Sequence, residues 1–233
     1  MRSALVLALS CPLLVATATA TAAPDGTIKG TVIFEGQPPP REPLRRDTDP
    51  YCAKIARDSE DVIVTKGKLK DVLVRVKNGT AGKHAAPKTP VLLDQKECMY
   101  TPRVVGVVAG QSIAVRNSDG TFHNVHGKLG TKNLWNKPHA PKDADLALPA
   151  SSTAGDVVDI VCDVHPWMHS YAVVQDHPFF AVTKDDGTFE IAGLAPGTYT
   201  LEAWHPTLGA KSMTVKIGKG AKANVTARFS YKP

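Results

Sequence analysis

Cys162, His165 and Met168 stand three residues apart in the run Cys162-Asp163-Val164-His165-Pro166-Trp167-Met168. Well upstream lies Asn117-Ser118-Asp119-Gly120-Thr121-Phe122-His123-Asn124-Val125-His126. A thiolate, two imidazoles and a thioether form a donor set suited to one metal in particular. Thiolate and thioether suit Cu(I) and imidazole suits Cu(II), so a cage of these four can hold copper in both oxidation states. Such a cage needs two imidazole nitrogens and the thiolate as strong in-plane donors, with the thioether as a weak axial one. The chemistry on offer is a one-electron couple, provided that the chain brings His123 to the other three.

The elements that must do so read as strands. Val157 to Cys162 delivers the cysteine at a strand end, and Tyr171 to Val174 resumes the sheet. Between them Asp163 to Ser170 must curl so that His165 and Met168 point back to one centre. Pro166 restricts the backbone of His165 and has no N–H. That leaves fewer hydrogen bonds to the thiolate, which tunes a metal's potential. Elsewhere Thr27 to Phe34 alternates apolar and polar before Gly36 and a proline run, and short apolar runs recur at Val62 to Val64, Val72 to Val76, Arg103 to Val108 and Ser112 to Arg116. After Pro178 come Phe179 to Thr183, Thr188 to Ile191, Thr198 to Trp204, Met213 to Ile217 and Ala223 to Phe229. Strands this short, punctuated by turn residues, predict an all-β chain of sandwiches or barrels. Two stretches read as loops, Gly36 to Pro50 and Gly127 to Thr153; the second is long enough to act as a lid or a mobile excursion.

The chain has 233 residues, and its start is not expected in the fold. Met1-Arg2, an apolar run from Ala4 to Val15 and small residues from Ala16 to Ala23 read as a secretory signal peptide over residues 1–22. The apolar run is too short for a membrane span, and Cys11 inside it is in poor context for lipidation. No later stretch approaches spanning length, so the mature protein is expected to be periplasmic or secreted. The net charge of +6 comes from scattered lysines and arginines, with no cluster interleaved with aromatics, which argues against nucleic-acid binding. Three cysteines survive maturation: Cys52, Cys98 and Cys162. An odd count in an oxidising compartment leaves one thiol over. A Cys52–Cys98 disulfide would leave Cys162, the cysteine of the motif.

The Asn-x5-His-Asn-Val segment followed by Cys-x-x-His-Pro-Trp-Met resembles the cupredoxins, and among them the amicyanin- and plastocyanin-like blue copper proteins. The resemblance covers roughly Val91 to Asp176. It implies a Greek-key β-sandwich with one type 1 copper ion held by His123, Cys162, His165 and Met168. Asn117 would tie the ligand loops together, with Pro166 and Trp167 flanking the site. It further implies single-electron transfer without enzymatic activity of its own. The partner would be a redox protein such as a c-type cytochrome or a periplasmic dehydrogenase. The edge of His165, beside Pro166 and Trp167, is the expected exposed exit for electrons. Two departures stand out: the strand before Cys162 lacks aromatics, and the Gly127 to Thr153 insert is unfamiliar. A copper storage or delivery protein with the same ligands, and a non-redox β-sandwich binding module, are the rival readings. No paired His-x-His motifs exist to build a multicopper oxidase.

Asp185-Asp186-Gly187-Thr188-Phe189 and Pro196-Gly197-Thr198-Tyr199-Thr200-Leu201 resemble the strand signatures of the carboxypeptidase regulatory-like, transthyretin-like β-sandwich. Phe189, Tyr199 and Leu201 would point inward, and the Asp-Asp-Gly turn reads as a turn rather than a calcium loop. The opening Gly26 to Val32 looks like a first strand of the same module. The expected organisation is an N-terminal β segment over 23–87, a cupredoxin domain over 88–176 and the second sandwich over 177–233. The first strand would pair with the last ones, across the inserted domain. His126 and His169 read as surface or flanking groups beside the ligands, with a spare-ligand role in a second or alternative site as the other reading, and His84, His139, His177 and His205 as structural.

Overall fold

Alternating burial along the strands is what sorts this chain into layers. A computed structural model describes residues 26–80, 82–218 and 224–233. The expected signal peptide lies outside them. Among the described residues every regular element is a strand except one 3-10 turn, Cys52–Lys54. The chain opens with β1 (Gly26–Phe34), β2 (Val64–Thr65), β3 (Lys68–Leu69) and β4 (Leu73–Asn78). There follow β5 (Val91–Lys96), β6 (Met99–Thr101), β7 (Val104–Val108), β8 (Ser112–Asn117) and β9 (His123–Leu129). Next come β10 (Lys132–His139), β11 (Leu146–Pro149), β12 (Val157–Val161) and β13 (His169–Gln175). The last five are β14 (Phe180–Val182), β15 (Thr188–Leu194), β16 (Gly197–His205), β17 (Gly209–Ile217) and β18 (Asn224–Tyr231). Among the described residues no helix is long and apolar enough to cross a membrane.

The strands form two β-sandwiches. In one, the sheet β10-β9-β12-β13-β7 faces the sheet β11-β8-β5-β6. Their inner faces share a core that includes Leu93, Tyr100, Ile113, Val115, Val125, Val158, Ile160 and Val174, with Cys162 and Met168 among them. In the other, β15-β1-β3-β2, with β18 on the far side of β1, faces β14-β4-β16-β17. Ile28, Val32, Phe189, Leu201, Phe229 and Tyr231 belong to its core. Phe189, Tyr199 and Leu201 are buried there, as the strand alternation requires. Strand β1 pairs antiparallel with β15, Gly30 opposite Phe189, and parallel with β18 from Thr27↔Asn224 to Phe34↔Tyr231. The first strand therefore closes on the last ones, with the other sandwich between them in sequence. Leu73, Val104 and Val173 pack the two sandwiches together.

The Gly127 to Thr153 stretch is not a loop. It carries the end of β9, all of β10 and all of β11. Strand β10 turns back on β9 from Lys132↔Leu129 to His139↔His123, and β11 completes the facing sheet against β8. Trp135 lies over Gly127, where a Cβ would come within 2.5 Å of the indole ring. The alternation was obscured because β10 exposes three residues in a row, Asn136, Lys137 and Pro138, besides Lys132 and Asn133. The Gly36 to Pro50 stretch, by contrast, is irregular apart from a single bridge at Pro43. It leaves β1 and continues to the Cys52–Lys54 turn.

Candidate metal centre

Strand ends gather the donors. His123 opens β9, and Cys162 follows β12, which runs antiparallel beside β9 with Val161 opposite His126. The loop from Cys162 back to β13 is tight. The Met168 N–H donates to the His165 carbonyl at 2.9 Å, and the Cys162 N–H to the Met168 carbonyl at 3.4 Å. That curl turns His165 inward. Its Nδ1 lies 2.9 Å from Nδ1 of His123 and 3.9 Å from Sγ of Cys162. Donor atoms of His123, Cys162 and His165 all lie within 4.8 Å of one another. Met168 is fully buried in the same core cluster as Cys162.

Burial opposes ionisation of the Cys162 thiol, but hydrogen bonds with His123 and His165 outweigh it and bring the group down to about 6. At neutral pH the sulfur is then mostly thiolate, the form that binds metals. His123 is shifted the other way: burial lowers it, yet Asp119 and Cys162 together raise it above the ordinary imidazole value. Each imidazole meets a carboxylate with its outer nitrogen. His123 Nε2 lies 2.9 Å from Asp119 Oδ2, and His165 Nε2 lies 2.9 Å from Asp49 Oδ2. A carboxylate only accepts hydrogen bonds, so both Nε2 atoms donate. The two Nδ1 atoms, 2.9 Å apart beside the Cys162 sulfur, therefore need a positive charge between them, either a proton on an inner nitrogen or a metal ion that replaces it. The residues fit a copper ion: two nitrogens and one soft sulfur, with a thioether in the same core.

His165 does not present the exposed edge expected from the sequence. It is only 1 % exposed. The segment ahead of the Cys52–Lys54 turn runs across it, with Asp49 bonded to its ring and Sγ of Cys52 3.7 Å from Nε2. Cys52 and Cys98 form a disulfide, which fastens this strap to the turn between β5 and β6. Arg46 reinforces it by donating to the carbonyls of Ile55 and Glu97, while its guanidinium lies 5.8 Å over the Trp167 ring. Two large apolar side chains next to the donors in sequence are exposed: Phe122, 43 % exposed, and Val164, 48 % exposed.

The other residues singled out from the sequence fall around this centre. Asn117 donates to the carbonyls of Thr121 and His139 and accepts the N–H of Asp119. It thereby shapes the turn before His123 and ties it to β10, without touching the cysteine loop. Asn124 binds that loop instead: its Oδ1 accepts the Asp163 N–H at 2.7 Å and lies 3.3 Å from Cys162 Sγ. Trp167 packs 5.1 Å from the His165 ring and donates to the Cys98 carbonyl at 2.9 Å. Pro166 is exposed beside them. His126 bonds Asp163 and Asn133, and His169 bonds Asp159, so both are engaged outside the donor cluster. His139 is fully buried with Nδ1 against Gln95. His177 and His205 are buried in backbone hydrogen bonds, and His84 packs edge-on to Phe179. Sequence reasoning missed Asp49, Asp119 and Asn124. Only Asp119 carried a local signal, standing four residues before His123.

No curated protein matches this chain. One family model matches residues 149–225, that of polysaccharide lyase family 4, domain II. It spans β12 and β13 of the first sandwich and β14 to β17 of the second, and it differs from the carboxypeptidase regulatory-like module that the strand motifs resemble. Solved structures similar to the chain include amicyanin from Paracoccus versutus, 20 % identical with a TM-score of 0.33, over 44 % of this chain and 97 % of that one. An amicyanin mutant in its reduced Cu(I) form is 21 % identical with a TM-score of 0.33, over 44 % and 98 %. A purple cupredoxin from Nitrosopumilus maritimus is 16 % identical with a TM-score of 0.29, over 36 % and 99 %.

Proposed function

We propose that this protein binds one copper ion through His123, Cys162, His165 and Met168 and carries single electrons between redox partners outside the cytoplasm. The observation that carries the reading is the inward pair of Nδ1 atoms, 2.9 Å apart. It is joined by a buried thiol whose ionisation falls to about 6. Copper bound there would supply a couple that takes up one electron from a donor and yields one to an acceptor. The chain's own residues do the rest. The thiolate and imidazoles offer donors that suit both oxidation states. The sandwich core around Cys162 and Met168 excludes water. The two carboxylates hold the rings in place. Burial of every donor argues for a resident metal rather than one that is handed on. Phe122 and Val164, each next to a donor in sequence, supply an apolar surface for a transient encounter with another redox protein.

The test is direct. Cu(II) added to purified protein should produce an intense thiolate-to-copper absorption band, and Cys162→Ala should abolish it. A copper-loaded protein with no such band, or a band that survives in Cys162→Ala, would rule the reading out.

A further inference from the structure

We infer that Asp49 and Asp119 form a paired carboxylate clamp: two positioning residues that hold both candidate copper imidazoles with Nδ1 inward and Nε2–H outward. This inference rests on the copper reading for its purpose, but its geometry stands apart from it.

The two halves of the clamp are built alike. Asp119 Oδ2 accepts from His123 Nε2 at 2.9 Å and from the Cys98 N–H at 2.8 Å, while its Oδ1 accepts the Glu97 N–H at 2.6 Å. Asp49 Oδ2 accepts from His165 Nε2 at 2.9 Å and from the Thr121 hydroxyl at 2.8 Å. Its Oδ1 accepts the N–H groups of Tyr51 at 2.7 Å and Cys52 at 3.2 Å. Each carboxylate therefore binds one imidazole and the backbone N–H of one disulfide cysteine. The Cys52–Cys98 bond joins the two supports covalently. Thr121 ties Asp49 back to the turn that carries Asp119 and leads into His123.

The backbone gives a second, independent sign that the clamp is built for a purpose. Glu97 and Cys98 form the two-residue turn between β5 and β6, with Lys96 opposite Met99. Both have positive φ, 56° and 53°. A two-residue hairpin with left-handed geometry at both positions favours Asn-Gly or Gly-Gly. Side chains with a Cβ are strained there. In this turn both N–H groups point at one carboxylate, so the strained conformation is held by Asp119 and in turn fixes it. Strain of this kind concentrates where geometry must be over-determined.

A carboxylate on the outer nitrogen fixes an imidazole's tautomer and makes it a stronger donor. Two such charges also favour the higher charge state of any bound metal. The pair therefore biases a copper ion toward Cu(II), in a site that the strap shields from solvent.

The experiment compares wild type with Asp49→Asn, Asp49→Ala and Asp119→Asn. Asn keeps an acceptor and the shape of the cradle while removing the charge; Ala removes both. In the metal-free protein, long-range nitrogen–proton NMR should show His123 and His165 with protonated Nε2. Asp49→Ala should lose that fixed Nε2–H at His165, and Asp49→Asn should largely restore it. In the copper-loaded protein, each Asn variant should shift the Cu(II)/Cu(I) equilibrium about tenfold toward Cu(I), a rise of about 59 mV in midpoint potential. An unchanged His165 tautomer in Asp49→Ala, or unchanged potentials in both Asn variants, would overturn the clamp. If wild type takes up no copper, the copper reading fails while the metal-free tautomers still decide the clamp.

Discussion

A thiolate in a protein core is tolerable only where something positive or proton-bearing meets it, and at Cys162 that role falls to two imidazoles and an amide-lined loop. Asn124 is the quiet member. Its Oδ1 holds the Asp163 N–H at 2.7 Å and so sets how Cys162 leaves β12. Asn124→Ala strands that N–H and is expected to lower the stability of the metal-free protein by about 1–3 kcal/mol, read from urea unfolding at neutral pH. Cys162, His165 and Met168 stood out in the sequence by their spacing and His123 by the resemblance to cupredoxins; the fold adds that His123, Cys162 and His165 converge. Their supports did not stand out. Carboxylates and amides are ordinary surface residues until folding brings them to a ring nitrogen. Asp49 reaches His165 from another part of the chain altogether, with no spacing rule to announce it.

Among the elements, β1 does the most to hold the second sandwich together, since β15 and β18 both pair with it. Gly30 sits where those partners crowd closest. A Cβ there would come within 2.2 Å of the Phe189 ring and 2.4 Å of the Ala227 carbonyl. The carbonyl belongs to β18, which is paired with β1 from Thr27↔Asn224 to Phe34↔Tyr231, and cannot swing aside. Gly30→Ala should therefore cost about 1–3 kcal/mol through overpacking, measured as a lower midpoint in chemical unfolding; a neutral result would mean that β1 sits further from its partners than described. The pairing of β1 with the C-terminal strands was expected from the resemblance of Gly26 to Val32 to a first strand of the C-terminal module, since alternation alone names no partner. The β9–β10 hairpin was not legible. Its exposed face is polar, its inward positions are filled by a single large indole over a glycine, and Pro138 within β10 argued against a strand.

At the scale of the molecule, titration behaviour outside the metal centre reports on the second sandwich. His205 ends β16 fully inside the protein, its Nδ1 accepting the N–H groups of Thr207 and Leu208 at 3.2 Å. Burial, with Arg103 nearby, pushes the imidazole down to about 4. The unfolded chain takes up this proton near 6.5 and the native one does not until about 4. Between those values the unfolded state binds more protons, so His205 withdraws stability as the pH falls through that window. His205→Asn keeps an acceptor for the two N–H groups and removes the titration. Its stability relative to wild type should rise between pH 7 and pH 5, checked by urea unfolding at both; a constant difference would show that the imidazole titrates normally. The fold class was plain from composition and turn spacing. How the two cores meet at Leu73, Val104 and Val173 was not, because a buried valine reads the same whichever core it serves.

The parallel pairing of β1 with β18 sets an order on biosynthesis. As the chain leaves the ribosome, β1 emerges first and its neighbour emerges last. The intervening sandwich has all its own strands in hand long before that. It can close while β1 still shows a bare hydrogen-bonding edge and half of an unfilled core. Such an edge is a template for wrong partners, and late, long-range closure is slow. The same arrangement makes the second sandwich a seal on completeness: a chain truncated before β18 can bring His123, Cys162 and His165 together but cannot close the layer that β1 began.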